Sequence, residues 1–275
     1  MPSVQPDARD ADAIDPGAIR RLADLATVEH LAKIGSTMDR GRELAGAAAD
    51  RLPALVVADR QTAGRGRQGS GWWQAEGSLA MSLVIDPVAM GLPAAESCWS
   101  LACGIAVAES LERLEPSIAP RLRWPNDIEV DRRKLAGILT ERMPGGRVVF
   151  GLGLNTASRS ALAPPPLQSR VVTVPDLVGH ALPRQRLLEQ FPPRLFAILA
   201  EIATDPPVLV DRYQPRCGLT GTRVRVYQGR RVIEGECLGI DAAGSLVVAT
   251  ASGRVACHSG SLTHPSEKWP AEPPR

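Results

Sequence analysis

Between Ala58 and Trp73 the chain reads ADRQTAGRGRQGSGWW. Gly64, Gly66, Gly69 and Gly71 are interleaved there with Arg65 and Arg67. Glycine lets backbone approach a ligand closely and adopt positive φ, and arginine offers a permanently charged fork suited to carboxylate and phosphate. Together they describe a loop that closes over an anion. Gly64-x-Gly66-x-x-Gly69 also matches the dinucleotide fingerprint letter for letter. That fingerprint opens a helix, whereas Ser70-Gly71-Trp72-Trp73 leads into a loop and then an apolar strand. A kinase glycine loop would need VAIK, HRD and DFG partners, and a Walker A loop a GK[ST] ending; neither set is present. The competing reading is a surface loop with solvated arginines, which the two adjacent tryptophans disfavour.

Three more stretches carry chemistry-capable residues. Gly35-Ser36-Thr37 precedes a helical pattern, and Ser36-x-x-Asp39 has capping-box spacing. Ser36 there is a plain helix cap or a ligand contact, and a helix N-terminus with free N–H groups allows both. Trp124-Pro125-Asn126-Asp127 reads as a turn, and Arg133-Lys134-Leu135-Ala136-Gly137-Ile138-Leu139 as the second arm of a hairpin. Asn155 closes an apolar run, Val148 to Leu154.

These positions need strands and helices to bring them together. Short β-branched runs place strands at Val28–Lys33, Pro53–Ala58, Leu79–Asp86, Arg121–Trp124, Ile128–Asp131, Lys134–Leu139 and Val148–Leu154. A helix follows Asp39 to about Asp50. Ala94–Leu114 is an amphipathic helix with apolar residues at 98, 101, 102, 105, 108 and 111, and Trp99 in it belongs to the core. Pro183–Ile202 is helical in pattern, and Pro192-Pro193 predicts two pieces. Pro164–Pro166 reads as a loop and Tyr213–Gly218 as a linker. From Gly221 onward short β segments recur at roughly ten-residue spacing, which suits a small all-β barrel. The first 16 or so residues read as disordered, and with at most a short helix at Ala18–Leu25 the whole of residues 1–25 reads as a disordered N-terminal segment.

The chain has 275 residues, of which 44% are hydrophobic, enough for one large domain and a small one. A net charge of +2 argues neither for nucleic acid nor for a membrane surface. No apolar run approaches the length of a membrane span, and the acidic start lacks a signal-peptide core. Five cysteines without a CxxC pair, and four scattered histidines, read as free thiols in a cytoplasm rather than a metal cluster.

In order and spacing, the Ser36-Thr37 pair, the GRGR loop, the WPND turn and the KLAGIL strand resemble the biotin protein ligases. The resemblance runs from about Leu31 through the small C-terminal β domain. It implies an α+β fold: a mixed sheet with helices, like the class II aminoacyl-tRNA synthetase catalytic domain, over residues 26–214, then an SH3-like barrel over 217–265. It implies that biotin and ATP, with Mg²⁺, give biotinyl-5′-AMP, and that the biotinyl group passes to a lysine of a biotin carboxyl carrier domain of acetyl-CoA carboxylase or a related carboxylase. Arg65, Arg67 and the Gly66 backbone would hold the carboxyl and phosphate region, with Arg67 and Lys134 as the catalytic pair. Lys134 would otherwise be an exposed hairpin lysine. Ser36, Thr37 and Gln61 match the positions that face the ureido ring, Trp72 the tryptophan over the intermediate, and Asn155 the asparagine near adenine. Asp127 orients Lys134 or is a turn aspartate. Met38 stands where many relatives have Asn. A lipoate or octanoate ligase shares the fold, and a sensor without turnover is the reading of another class. The resemblance further implies a cytoplasmic monomer or homodimer with no DNA and no membrane partner, because too few residues precede the first strand for a helix-turn-helix module.

Overall fold

The structure, a computed structural model, describes residues 13–92 and 98–262. It opens with helix α1 (Pro16–Leu22), strand β1 (Thr27–Ile34), helix α2 (Thr37–Ala45) and strands β2 (Ala54–Gln61) and β3 (Leu79–Ile85). Helix α3 (Trp99–Leu114) leads to β4 (Arg121–Arg123), β5 (Asp127–Val130), β6 (Arg133–Arg142) and β7 (Val148–Leu154). Helices α4 (Pro165–Gln168), α5 (Val174–Val178), α6 (Arg184–Thr204) and α7 (Val208–Tyr213) precede the last strands, β8 (Arg223–Gln228), β9 (Arg231–Ile240), β10 (Leu246–Thr250), β11 (Gly253–Cys257) and β12 (Ser261–Leu262).

The architecture is α+β. Strands β1 to β7 form one sheet in the order β1-β2-β3-β7-β6-β5-β4. Only β1 and β2 run parallel; the other neighbours are antiparallel. Strand alternation assigns the faces. On β2, Leu55 and Val57 join the core shared with α3 and α6, while Ala54 and Val56 turn to α2. On β7, Val148, Phe150, Leu152 and Leu154 face the α3 side, which leaves Val149, Gly151 and Gly153 on the α2 side. Every apolar α3 position predicted from periodicity is buried, and Trp99 stacks on Phe150 with ring centroids 6.2 Å apart. The second sheet is antiparallel, in the order β11-β10-β9-β8-β12. All five cysteines are free and buried. No described helix is long and apolar enough to cross a membrane.

Four expectations change. Helix α6 is one continuous helix through Pro192 and Pro193. Each proline costs about 3 kcal/mol in a helix interior, but Leu187, Leu188, Phe191, Leu195, Ile198, Leu199 and Ile202 are all buried along it, at about 1.5–3 kcal/mol each. The expected linker 213–218 is structured. Tyr213 ends α7 with 1% exposure, and Cys217 bridges to Leu122 beside β4. The expected loop at Pro164–Pro166 holds the start of α4. The N-terminal segment is ordered in its described part: Asp15 caps α1 by accepting from the Gly17 and Ala18 N–H groups, and Ile19 is fully buried. Residues 1–12, the first residues of the predicted 94–114 helix, and the end of the predicted barrel at 265 lie outside the described residues.

Ion pairs tie the helices behind the sheet. Glu109 of α3, only 10% exposed, accepts from Arg194 of α6 at 2.7 Å and from Arg212 of α7 at 2.8 Å. Glu112 takes both arms of Arg216. Removing Glu109 takes the carboxylate from Arg194 and one of two from Arg212, which keeps Glu201. Glu109→Ala should therefore lower unfolding free energy by about 1–3 kcal/mol, seen as a lower urea midpoint at unchanged slope.

Candidate functional site

A cavity of about 570 Å³ lies on the α2 face of the large sheet. Its floor is made where β6 and β7 carry no side chains: Gly137, Gly151 and Gly153. A Cβ at Gly153 would sit 2.3 Å from Cε2 of Trp72, and one at Gly151 2.5 Å from Sδ of Met38. Glycine within a strand marks such a close approach.

One wall is Ser36, Thr37 and Gln61. Ser36 is the N-cap of α2 and accepts from the Met38 N–H at 3.3 Å. The capping box is not completed, because Asp39 turns instead to Arg42 and Arg65. The Met38 amide is thereby used by Ser36, and its side chain is buried. Thr37 donates its N–H to Gln61 Oε1 at 2.8 Å and its hydroxyl to the same oxygen at 3.1 Å. Because that oxygen can only accept, Ser82 must be the donor to Thr37 Oγ1, at 2.9 Å.

The roof is the glycine-arginine loop, which folds as a small hairpin. The Trp72 N–H donates to the Gly64 carbonyl at 2.9 Å and the Gly66 N–H to the Ser70 carbonyl at 2.7 Å. Gln68 and Gly69 turn the tip with positive φ. The backbone contact expected of Gly66 is thus closed within the hairpin, and a Cβ there would meet Ser70 Oγ at 2.6 Å. Arg65 lies at the rim, half exposed, 3.1 Å from Asp39. Arg67 points inward and donates to Asn126 Oδ1 and to the Gly260 carbonyl, each at 3.1 Å. Burial lowers the Arg67 pKa from its usual value and nearby Asp127 opposes the shift; a guanidinium stays charged regardless.

A second cavity of about 590 Å³ adjoins the first and is lined by Trp72, Trp73, Arg123, Arg132, Lys134, Asn155 and Arg170 among others. Trp72, Asp127, Lys134 and Arg170 border both chambers. Lys134 Nζ is 2.6 Å from Asp127 Oδ1, an ionic contact off the direction of a good hydrogen bond, and 5.7 Å from the Trp72 ring centroid. The Lys134 N–H donates to the Arg170 carbonyl, and its own carbonyl accepts from Val172. Asn155 donates to the Val172 carbonyl at 3.0 Å. Two buried polar atoms at this junction, Trp72 Nε1 and Asn155 Oδ1, have no hydrogen-bond partner among the described residues.

All ten residues singled out in the sequence line these two chambers. Sequence reasoning missed Ser82, the glycine floor, and Arg123, Arg132 and Arg170. It also missed Ser261 and Leu262, which border the first chamber from the second sheet. The Gly151-Leu152-Gly153 pair was the one available signal.

Two uncompensated donor and acceptor atoms beside a cation, under an indole, suit a planar polar ligand joined to an anion. Gly153→Ala should keep the fold but lift Trp72 from its seat. The expected result is a shifted tryptophan emission, a changed unfolding free energy of no more than about 2 kcal/mol, and loss of ligand-induced quenching.

Comparison with known proteins places these features. Residues 33–155 match the Biotin/lipoate A/B protein ligase family, and residues 220–262 match the Biotin protein ligase C terminal domain. The biotin--[acetyl-CoA-carboxylase] ligase of Mycobacterium tuberculosis is 32% identical over 238 residues, covering 85% of this chain and 87% of that protein. The bifunctional ligase/repressor BirA of Bacillus spizizenii is 32% identical over 230 residues, covering 80% and 68%. The solved biotin protein ligase of Aquifex aeolicus in complex with biotin and ATP superposes with a TM-score of 0.75 at 25% identity, covering 86% and 97%.

Proposed function

We infer the role of each residue from one premise: the chain belongs to the biotin protein ligase family. It is an AMP-forming ligase that activates biotin with ATP to biotinyl-5′-AMP and transfers biotin to a lysine of a biotin carboxyl carrier domain. The observation that carries the residue assignments is the pair of chambers meeting at Lys134 under Trp72.

The first chamber takes biotin. Its hydrogen-bond polarity is set by the Thr37 N–H, which can only donate, so Gln61 must offer it Oε1 and turn Nε2 the other way. The Thr37 hydroxyl spends its proton on the same oxygen and keeps a lone pair. Thr37 therefore accepts and Gln61 donates, which complements the ureido N–H and ureido carbonyl respectively. Ser36 lines the same wall.

The second chamber takes the nucleotide. Asn155, with its unpartnered Oδ1, lines this chamber and would meet a polar edge of the adenylate, and the Trp72 ring covers the junction. There a biotin carboxylate oxygen forms a bond to the α-phosphorus as the bond to the β-phosphate's bridging oxygen breaks and pyrophosphate leaves. Both reactants are anions, so the protein's part is fixed positive charge and orientation. Lys134 stands at the join, held by Asp127. Arg67 enters from the roof and Arg65 from the rim. In the second step the neutral amine of the acceptor lysine attacks the mixed anhydride carbonyl and AMP departs. Mg²⁺ fits as a companion of the triphosphate. Asp127 and Glu129 are carboxylates on the nucleotide chamber wall, and among the described residues no cluster could hold a metal unaided. Bound there, the ion would neutralise phosphate charge. We further assign this chemistry to residues 26–214, with 217–265 as a separate barrel and the carrier domain of acetyl-CoA carboxylase or a related carboxylase as acceptor. Support for the division comes from two sheets that share no strand.

Acid-dependent ATP–pyrophosphate exchange tests the site, with biotin, lipoate and octanoate in parallel on wild type and Lys134→Ala. Exchange should occur with biotin alone and fall by about 100-fold or more in the variant. Exchange only with lipoate or octanoate would mean a different acid pocket, and binding without exchange a sensor. The polarity assignment has its own test. Gln61→Glu replaces the donor facing the ureido carbonyl by an acceptor. It should lower kcat/KM for biotin by about 100-fold and narrow the preference for biotin over 2-iminobiotin by about tenfold. Equal losses on both acids would sink the assignment.

A further inference from the structure

Strand β2 is flanked by strands on both sides only as far as Ala58. Its parallel neighbour β1 accompanies it to Gln61, opposite Ile34. Its antiparallel neighbour β3 begins at Leu79, and their pairing stops at Ala58 opposite Ala80. Beyond that point the strand would present the Asp59 carbonyl and the Gln61 N–H to empty register. An unpaired peptide group away from water costs about 1–3 kcal/mol, and the residue at risk is the one whose side chain reaches the acid chamber.

The Gln74 side chain fills that register. Its Oε1 accepts from the Gln61 N–H at 2.8 Å, and its Nε2 donates to the Asp59 carbonyl at 3.0 Å and to the Ser78 carbonyl at 3.1 Å. A neighbouring strand would make the same two bonds to β2, taking one residue's N–H and giving to the carbonyl two residues before. Here a carboxamide does it. The orientation of the amide is fixed, because one partner can only donate and two can only accept. Gln74 also comes two residues after Trp72, so the bonds close the stem of the roof hairpin from both ends. The far side is anchored: Asp59 is 2.9 Å from His30 Nε2 and 2.9 Å from Arg184 Nη1 at the start of α6.

We propose that Gln74 is a positioning residue for acid recognition: its carboxamide stands in for a strand, carries β2 out to Gln61 and holds the Gln61 amide at the biotin ring. The assignment rests on the reading of Gln61 as donor to the ureido carbonyl. Neither Asn nor Glu replaces Gln74 in this role. Asn is one methylene too short, and Glu offers a second acceptor to two carbonyls.

The test compares wild type, Gln74→Met, Gln61→Ala and the double variant by pyrophosphate exchange. Gln74→Met keeps length and volume without the amide. It should raise KM for biotin by about tenfold while KM for ATP moves less than about threefold, which a general loosening of the fold would not do. Because Gln74 acts through Gln61, the double variant should lose no more than Gln61→Ala alone. Amide hydrogen exchange at Gln61 should lose protection in Gln74→Met, with helix α3 unchanged. A normal biotin KM in Gln74→Met, or additive losses in the double variant, overturns the role of Gln74 alone. A normal biotin KM in Gln61→Ala overturns the underlying reading of Gln61, and the role of Gln74 falls with it.

Discussion

Trp72 can lie flat only because β7 has no side chain at Gly153. That contact decides the layout of the whole site. Seated there, the indole stands between two chambers above the sheet, and Lys134 borders both. The hairpin that carries the ring must then start and end at fixed points. Those points are Gln61 at the end of β2 and Gln74, whose side chain ties back to β2. Sheet register, loop stem and chamber shape are one constraint seen from three sides.

Charge is handled by tethers from separate elements. Arg65 is held by Asp39 of α2, Lys134 by Asp127 of β5, and Arg67 by Asn126 together with a carbonyl of the second sheet. An exposed ion pair contributes little stability, so the Arg65 tether matters for direction rather than for folding. The buried Arg67 is different. Its direct hydrogen bonds go to two neutral oxygens, and the Asp127 carboxylate nearby opposes the cost of its desolvation, so much of its charge stays available inside the pocket.

Much of this was legible in the sequence where a motif is its own local structure. The GRGR loop, the WPND turn and the KLAGIL strand each state their residue types and their order, and all ten residues drawn from them and their neighbours line the two chambers. The periodicity of α3 gave the face it lays on the sheet, whereas β2, apolar throughout 54–58, gave no face until its neighbours were in place. What escaped depends on register between distant strands. Ser82 looks like any small strand residue until β3 is laid beside Thr37, and Gly137 gains meaning only opposite Gly153. Arg170 reads as loop until a bridge brings Val171 against Lys134. The prolines of α6 misled because local propensity was weighed without the buried stripe that outweighs it.

The two sheets meet at the site through peptide groups. Arg67 donates to the Gly260 carbonyl, Arg123 to the Leu262 carbonyl at 3.3 Å, and Trp124 Nε1 to the Gly244 carbonyl at 3.1 Å. A carbonyl is supplied by every amino acid. Evolutionary drift among side chains of the small sheet therefore leaves these three links untouched, provided the backbone path is kept. Gly244 and Gly260 are the exceptions: their φ values are 80° and 146°, and a Cβ would fall 2.9 Å from Cβ of Cys98 and 2.8 Å from the Tyr227 carbonyl oxygen. Insertions and deletions in the turns are the damaging class of change, because they move the acceptors themselves. The C-terminal sheet is thus free to vary in composition far more than in length.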